Sequence, residues 1–340
     1  MCNPIVAGDR IAVLGAGSVG CFIGGCWAAA GLPVTFIGRP KIGRDILEHG
    51  LTLTDYTGWQ AKPAEVPFAC VPAPLSDAGI VVVTVKSGAT AEAARDIIDN
   101  GRDGALVISF QNGISNVDVL RERLGDRFRV VQGIVPYNVA YLGSGRFHKG
   151  VAGSLWAERR PDTEELAARV GSGPAALRLS NDMPGLAWGK LLINLNNAVN
   201  ALSGRTLIEQ LSQRDYRRVV AASQGEGLRI LRRAGVRPAK VGAVGPRLLP
   251  LVMISPDWLF SNVFMKKWKI DEKARSSMSD DLAAGRTTEV EFLNGELVRL
   301  AQRLGVAAPV NQKIVELIHK AEEGAKPLGP ATLRKAVLGR

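Results

Sequence analysis

Two residue patterns in this 340-residue chain can do chemistry. The first, Gly15-Ala16-Gly17-Ser18-Val19-Gly20, fits G-x-G-x-x-G, directly after the apolar run Ile11–Leu14 and before a small, apolar stretch from Val19 to Ala30. That context is strand, turn, helix. Its first glycine permits the tight turn, its second lets backbone approach a pyrophosphate, and its third lets helix and strand pack, while helix N–H groups face the anion. A dinucleotide is the implied ligand. NAD-binding versions carry an acidic residue about 20 positions further on for the ribose 2′-hydroxyl. Here Phe36-Ile37-Gly38-Arg39-Pro40-Lys41 contains no Asp or Glu, and Arg39 stands where a guanidinium can hold a 2′-phosphate. The expected cofactor is NADP (NADPH).

The second pattern lies on the segment Leu186 to Leu202. At about 100° per residue, Trp188, Leu191, Leu195, Val199 and Leu202 share one arc, a core face, and Lys190, Asn194 and Asn197 form a stripe opposite. Asn194, Asn196, Asn197 and Asn200 crowd this segment, although asparagine costs roughly half a kcal/mol relative to alanine in a helix. Their amides are therefore expected to serve a ligand as donors and acceptors. A lysine among them becomes a proton donor if burial lowers its pKa. His49, His148 and His319 are too scattered for a triad or metal site and read as surface or packing residues, and no metal is expected.

The elements that must position these residues follow from periodicity. Val34 to Ile37 completes a βαβ unit with the opening strand, and Ile80 to Val85 with a helix from Ala89 to Ile98 extends the pattern. Leu106 to Ser109 with a helix from Ser115 to Leu124 repeats it. Leu51 to Thr54 and Gly58 to Lys62 read as a hairpin inserted in this sheet, with Arg129 to Ala140 and Val151 to Ala157 as its late strands. After Asn181-Asp182-Met183-Pro184, long 3.6-period segments take over: Leu186 to Leu202, Asp215 to Ala234, and Val290 to Leu304. The fold class is thus α/β, an N-terminal Rossmann-type doubly wound parallel sheet plus an all-α C-terminal domain. The expected boundaries are residues 1–183 for the nucleotide domain, 184–330 for the helical substrate domain and 331–340 for a basic tail, frayed or surface-bound.

Composition bounds the rest. With 46% hydrophobic and 22% charged residues, the chain is neither disordered, collagenous nor a disulfide scaffold. The formal charge of +11 favours anionic partners, but the basic residues are spread along the chain without interleaved aromatics, so nucleic acid is not expected. Cys2, Cys21, Cys26 and Cys70 lack metal or redox spacing and read as reduced, in a cytoplasmic protein. No export signal, anchor or run of about 18 apolar residues is visible, so no membrane partner is expected. Apolar helices in the second domain make a homodimer plausible.

With these residues in hand, the sequence resembles the ketopantoate reductase family (2-dehydropantoate 2-reductases) over nearly its whole length. The likeness is carried by the Gly15 to Gly20 turn, Thr84-Val85-Lys86, Gln111-Asn112-Gly113, Trp188-Gly189-Lys190-Leu191 with Asn194, Ser276-Ser277-Met278, and Thr288-Glu289 with Asn294-Gly295. The resemblance implies NADPH-dependent reduction of 2-dehydropantoate to pantoate for pantothenate and coenzyme A synthesis. It makes Lys190 the general acid and Glu289 a holder of the substrate and of the active-site hydrogen bonds. It also places Asn112 at the nicotinamide end of the cofactor with Lys86 nearby, and gives Ser277 the substrate carboxylate. Read locally, Ser277 is also a helix N-cap with Asp280 at the capping spacing, and Glu289 a first-turn glutamate complementing a helix dipole. The chain departs from the family at Ala198 and Ala274, where asparagines are common, which leaves Asn197 or Asn200 as the second substrate amide. Reduction of a different 2-keto acid, or NADP binding without turnover in a regulatory protein, are the competing readings.

Overall fold

Strict alternation along two strands shows how the first half of the chain is layered. In β1 (Arg10–Leu14), Ile11 and Val13 pack into one core while Ala12 and Leu14 pack into another, and in β6 (Ala78–Val83) Ile80 and Val82 divide from Val81 and Val83 in the same way. A sheet buried on both faces must be covered by helices on both. The computed structural model describes residues 10–64, 66–266, 271–272 and 274–339, so Cys2 lies outside the described residues.

The chain divides into two compact units, Met1–Met183 and Pro184–Arg340. In the first, β1 is followed by α1 (Ser18–Ala29), β2 (Val34–Ile37), α2 (Pro40–His49), β3 (Thr52–Asp55), β4 (Gln60–Ala61), β5 (Phe68–Ala69) and β6. Then come α3 (Thr90–Asn100), β7 (Leu106–Ser109), α4 (Asn116–Leu124), β8 (Arg129–Ile134), β9 (Val139–Tyr141), β10 (Arg146–Lys149), β11 (Leu155–Glu158), α5 (Pro161–Val170) and β12 (Leu177–Ser180). Among the described residues an eight-stranded sheet runs β12-β11-β8-β7-β6-β1-β2-β5, parallel throughout except where β11 meets β8. Strand order reverses at β1, which has β2 on one side and β6 on the other, and such a switch point opens a crevice at the strands' carboxyl ends.

The hairpin expectation needs correcting. β3 and β4 pair antiparallel, but they belong to a second, four-stranded sheet of order β4-β3-β10-β9, which also takes β9 from the segment expected to lie wholly in the main sheet. Helix α1 is the reason. Gly20 through Trp27 are buried on every side of it, and a helix without a polar face has to be covered all round. A Cβ at Gly24 would lie 2.5 Å from the Phe36 ring and 2.8 Å from Val13, whereas one at Gly25 would lie 2.8 Å from Leu51 and Leu53. One glycine admits the main sheet and its neighbour admits the small one. Burial pushes the α1 thiols up, Cys26 to about 12, and Cys21 and Cys26 are unpaired.

The second unit is helical, with α6 (Met183–Asn194), α7 (Asn196–Ser203), α8 (Leu207–Ser212), α9 (Arg214–Arg233), α10 (Leu249–Ile254), α11 (Ser277–Ala283), α12 (Asn294–Arg303), α13 (Pro309–Glu322) and α14 (Pro330–Leu338). The expected helix from Leu186 to Leu202 is two helices, interrupted at Leu195. Gln224 of α9, almost wholly buried, donates to the Leu192 carbonyl at 3.2 Å, the acceptor that a continuous helix would give to the Asn196 N–H. The basic tail is a helix rather than a frayed end: Leu333 is fully buried, Tyr216 donates its hydroxyl hydrogen bond to the Leu328 carbonyl at 2.6 Å, and Arg334 pairs with Asp215 at 3.0 Å. Pro330 starts it and Gly339, at φ 73°, ends it. Nine residues, between two and three turns, are too short for a period to be read from sequence.

Candidate active site

The glycine turn between β1 and α1 has a separate reason for each glycine. Gly15 has φ 97°, and a Cβ there would lie 2.5 Å from the Val85 nitrogen. A Cβ at Gly20 would lie 2.5 Å from the Thr84 hydroxyl and 2.8 Å from the Gly15 carbonyl, so this glycine lets α1 approach the strands. At Gly17 nothing lies closer than 3.9 Å. The second glycine therefore faces open space, beside the first-turn N–H groups of Ser18, Val19 and Gly20 that no helix carbonyl can satisfy. The turn is held rigid from outside: Gly15 and Ala16 both donate to the Ile37 carbonyl at 2.9 Å, and the Thr84 hydroxyl donates to Gly15 at 2.9 Å. The same contacts place Arg39. It is exposed, one residue beyond Gly38, whose Cβ would meet that of Ala16 at 2.8 Å. These residues fit a dinucleotide, with open backbone at Gly17 beside the first-turn N–H groups and an exposed cation at Arg39.

Lys86 and Asn112 follow β6 and β7 in the same unit, Lys86 exposed and Asn112 half-buried. A buried polar network ties their loops together. Gln111 donates to the Val85 carbonyl at 3.2 Å and to the Thr90 hydroxyl at 2.8 Å, Thr90 donates to Asn116 at 2.9 Å, and Asn116 donates to Ser87 at 3.0 Å. Ser87 and Asn116 both donate to the carbonyl of Asn112. Sequence reasoning found the Gln111-Asn112-Gly113 run but not Ser87, Thr90 or Asn116. Their signal, small polar residues at the starts of two predicted helices, is shared with ordinary caps.

In the helical unit, Trp188, Leu191, Leu195, Val199 and Leu202 are buried, while Lys190, Asn194 and Asn197 are half-buried. Gly189 is required by packing, since a Cβ there would lie 2.0 Å from the Ala239 carbonyl, and the Ala239 N–H donates to Gly185 at 2.7 Å. That loop crosses the helix beside Lys190. Burial pushes the Lys190 ammonium down to about 8, and the Glu289 carboxylate opposes this by favouring the charged form. Glu289 itself is half-buried, at the start of the short turn Val290–Phe292 rather than in the first turn of a long helix. The side-chain amides of Asn194 and Asn197 form no hydrogen bond among the described residues.

Two expectations are corrected here. Asn200 has no exposure, and its amide is committed to backbone: Oδ1 accepts from the Ser276 N–H at 2.9 Å and Nδ2 donates to the Arg205 carbonyl at 3.1 Å. It fixes the segment leading into α11 and does not offer its amide to a substrate. The N-cap of α11 is Ser276, not Ser277: its hydroxyl accepts from the Ser279 N–H at 3.1 Å and donates to the Asn197 carbonyl at 3.0 Å. Ser277 is exposed at the first helical position, with its hydroxyl uncommitted among the described residues. Among these residues no group of three His, Cys, Asp or Glu is placed to hold a metal ion, and no single helix is long and apolar enough to cross a membrane.

A dinucleotide cradle in an α/β unit, together with a helical unit that carries a lysine of lowered pKa, is the build of an oxidoreductase that uses a nicotinamide cofactor on a small molecule. Residues 11–161 match the family described as Ketopantoate reductase PanE/ApbA, and residues 182–322 match its C-terminal domain. The chain belongs to the ketopantoate reductase family, and it is an oxidoreductase acting on a keto/CH–OH group. It is 26% identical to the 2-dehydropantoate 2-reductase of Archaeoglobus fulgidus, over 93% of this chain and 99% of that one. It is 28% identical to that of Halobacterium salinarum, over 92% and 99% respectively. The crystal structure of a PanE/ApbA family ketopantoate reductase from Ralstonia eutropha JMP134 superposes with a TM-score of 0.79, at 27% identity, covering 92% of this chain and 98% of the other.

Proposed function

We propose that this protein reduces 2-dehydropantoate to pantoate with NADPH, in the supply of pantothenate and coenzyme A. The observation that carries the reading is Lys190, whose buried ammonium is pushed down to about 8, with the uncommitted amides of Asn194 on the same helix and Asn197 on the next. A general acid works best with a pKa near the working pH. The nicotinamide group, when bound, supplies the hydride. Lys190 Nζ gives its proton to the substrate's keto oxygen as that oxygen becomes an alkoxide, so charge develops where a cation already stands. Asn194 and Asn197 orient the substrate, Glu289 holds its hydroxyl and keeps Lys190 charged, and Ser277 holds its carboxylate. Lys86 and Asn112, fixed by the network behind them, position the nicotinamide end of the cofactor.

Arg39 supports NADPH over NADH, since its guanidinium suits a 2′-phosphate and no carboxylate in residues 36–41 competes for the ribose. The test is NADPH oxidation followed by absorbance with 2-dehydropantoate, beside a panel of other 2-keto acids and with Lys190→Ala. Rapid turnover with 2-dehydropantoate should fall on the order of a hundredfold or more in the variant. Turnover confined to another keto acid would discard this substrate, and NADPH binding without oxidation by any acid would discard the catalytic reading.

A further inference from the structure

Helix α13 carries His319 and Glu322 one turn apart, and both reach toward the turn that bears Glu289. His319 Nδ1 lies 2.9 Å from Glu322 Oε2, and Nε2 lies 2.9 Å from Glu291 Oε1. A neutral imidazole has one N–H and one bare nitrogen, so only the imidazolium can donate to both carboxylates. The other oxygens of these carboxylates are also in use. Glu322 Oε1 accepts the Thr288 N–H at 2.7 Å, and Glu291 Oε2 accepts from Arg299 at 3.1 Å, with the Glu291 carbonyl accepting from the same guanidinium at 2.6 Å. The turn is thus held at residue 288 and at residue 291, with Glu289 between the two points.

We propose that His319, as an imidazolium bridging Glu322 and Glu291, is a positioning residue that fixes Glu289. The proposal rests on the reading of Glu289 as a residue of the reductase site. Loss of the His319 proton breaks one of the two ring contacts and leaves a bare nitrogen facing a carboxylate. The Thr288 anchor and Glu291 are then no longer bridged, and Glu289 gains freedom.

The two carboxylates that touch the ring favour its protonated form. Glu322 lies on its own helix, Glu291 on the turn, and Arg299 with its partner Glu296 on α12. Helix α7 contributes no titratable residue. On α9, Asp215 pairs with Arg218 and with Arg334 of α14, while Glu226 accepts from the Val310 and Asn311 N–H groups. The hydrogen bonds to Glu322 and then to Glu291 hold the ring above its ordinary pKa, against some burial. The clamp is therefore complete below the ordinary histidine pKa and is lost as pH rises through the raised one.

The experiment is an NMR titration of the full-length protein beside the reductase assay. In the wild type, the His319 ring signals and the Thr288 and Glu289 amide signals should move together, with a midpoint above about 6.5. His319→Gln should abolish the amide titration and lower kcat on the order of tenfold at pH 7 while leaving KM for NADPH nearly unchanged. Glu322→Gln keeps an acceptor for the Thr288 N–H but removes the charge at Nδ1, so it should lower the His319 midpoint, and it decides the question if His319→Gln does not fold. Amides that titrate independently of the ring, or a folded His319→Gln with wild-type kcat and pH profile, would overturn the proposal. Should the wild type oxidise NADPH with no keto acid, the reductase reading fails, and the linked titration still decides whether the clamp exists.

Discussion

Lys190 stands between two opposed influences, burial that favours its neutral form and the Glu289 carboxylate that favours its charged one. A free lysine amine titrates near about 10.4 and would stay charged throughout the physiological range. Here the acid form is present below about 8 and is lost as pH rises through that value. We expect kcat to fall above about pH 8. In Glu289→Gln the inflection should move to lower pH, because the charge that raises the lysine pKa is gone, whatever that variant does to the size of kcat. Profiles of kcat for both proteins between about pH 6 and 11.5 check this, and an inflection that stays near the free-lysine value in both would refute the assignment of Lys190 as the acid.

The asparagines of α7 show that one residue type can serve two purposes within a single turn. Asn200 bonds two backbone groups that have no other described partner, whereas the Asn197 amide bonds none. Asn200→Ala should cost about 2 kcal/mol in urea unfolding, the penalty of leaving buried backbone groups unsatisfied. Asn197→Ala should leave stability within about 0.5 kcal/mol and raise KM for the keto acid. Equal stability losses would mean that both are structural. This difference was invisible in the sequence, because the Ser276 N–H that Asn200 accepts is contributed from a distant point in the chain. Period-2 and apolar runs gave β2 and β7 to the residue, and the glycine turn and Lys190 could be read locally. What could not be read locally depends on tertiary partners: Thr52 pairs with Arg146 in the small sheet, Gln224 interrupts the helix at Leu195, and His319 finds its carboxylates on a turn and on its own helix face.

At the scale of the whole chain, a net charge of +11 and a single local cation make different contributions to cofactor binding. The summed field attracts any anion, so it should raise the affinity for NADPH and NADH alike and fade as salt shortens the Debye length from about 10 Å at 0.1 M to about 3 Å at 1 M. Arg39, next to the glycine turn, should act only where there is a 2′-phosphate to hold. A charge-assisted hydrogen bond contributes about 1.5 to 3 kcal/mol, which is about ten- to a hundredfold in Kd. Arg39→Ala should therefore weaken NADPH by that factor, leave NADH nearly unchanged, and preserve the salt dependence of both. Fluorescence titration of each cofactor with wild type and variant, at low and high salt, separates the two effects. Equal losses for NADPH and NADH in the variant would show that Arg39 belongs to the general field and that NADPH preference comes from another residue.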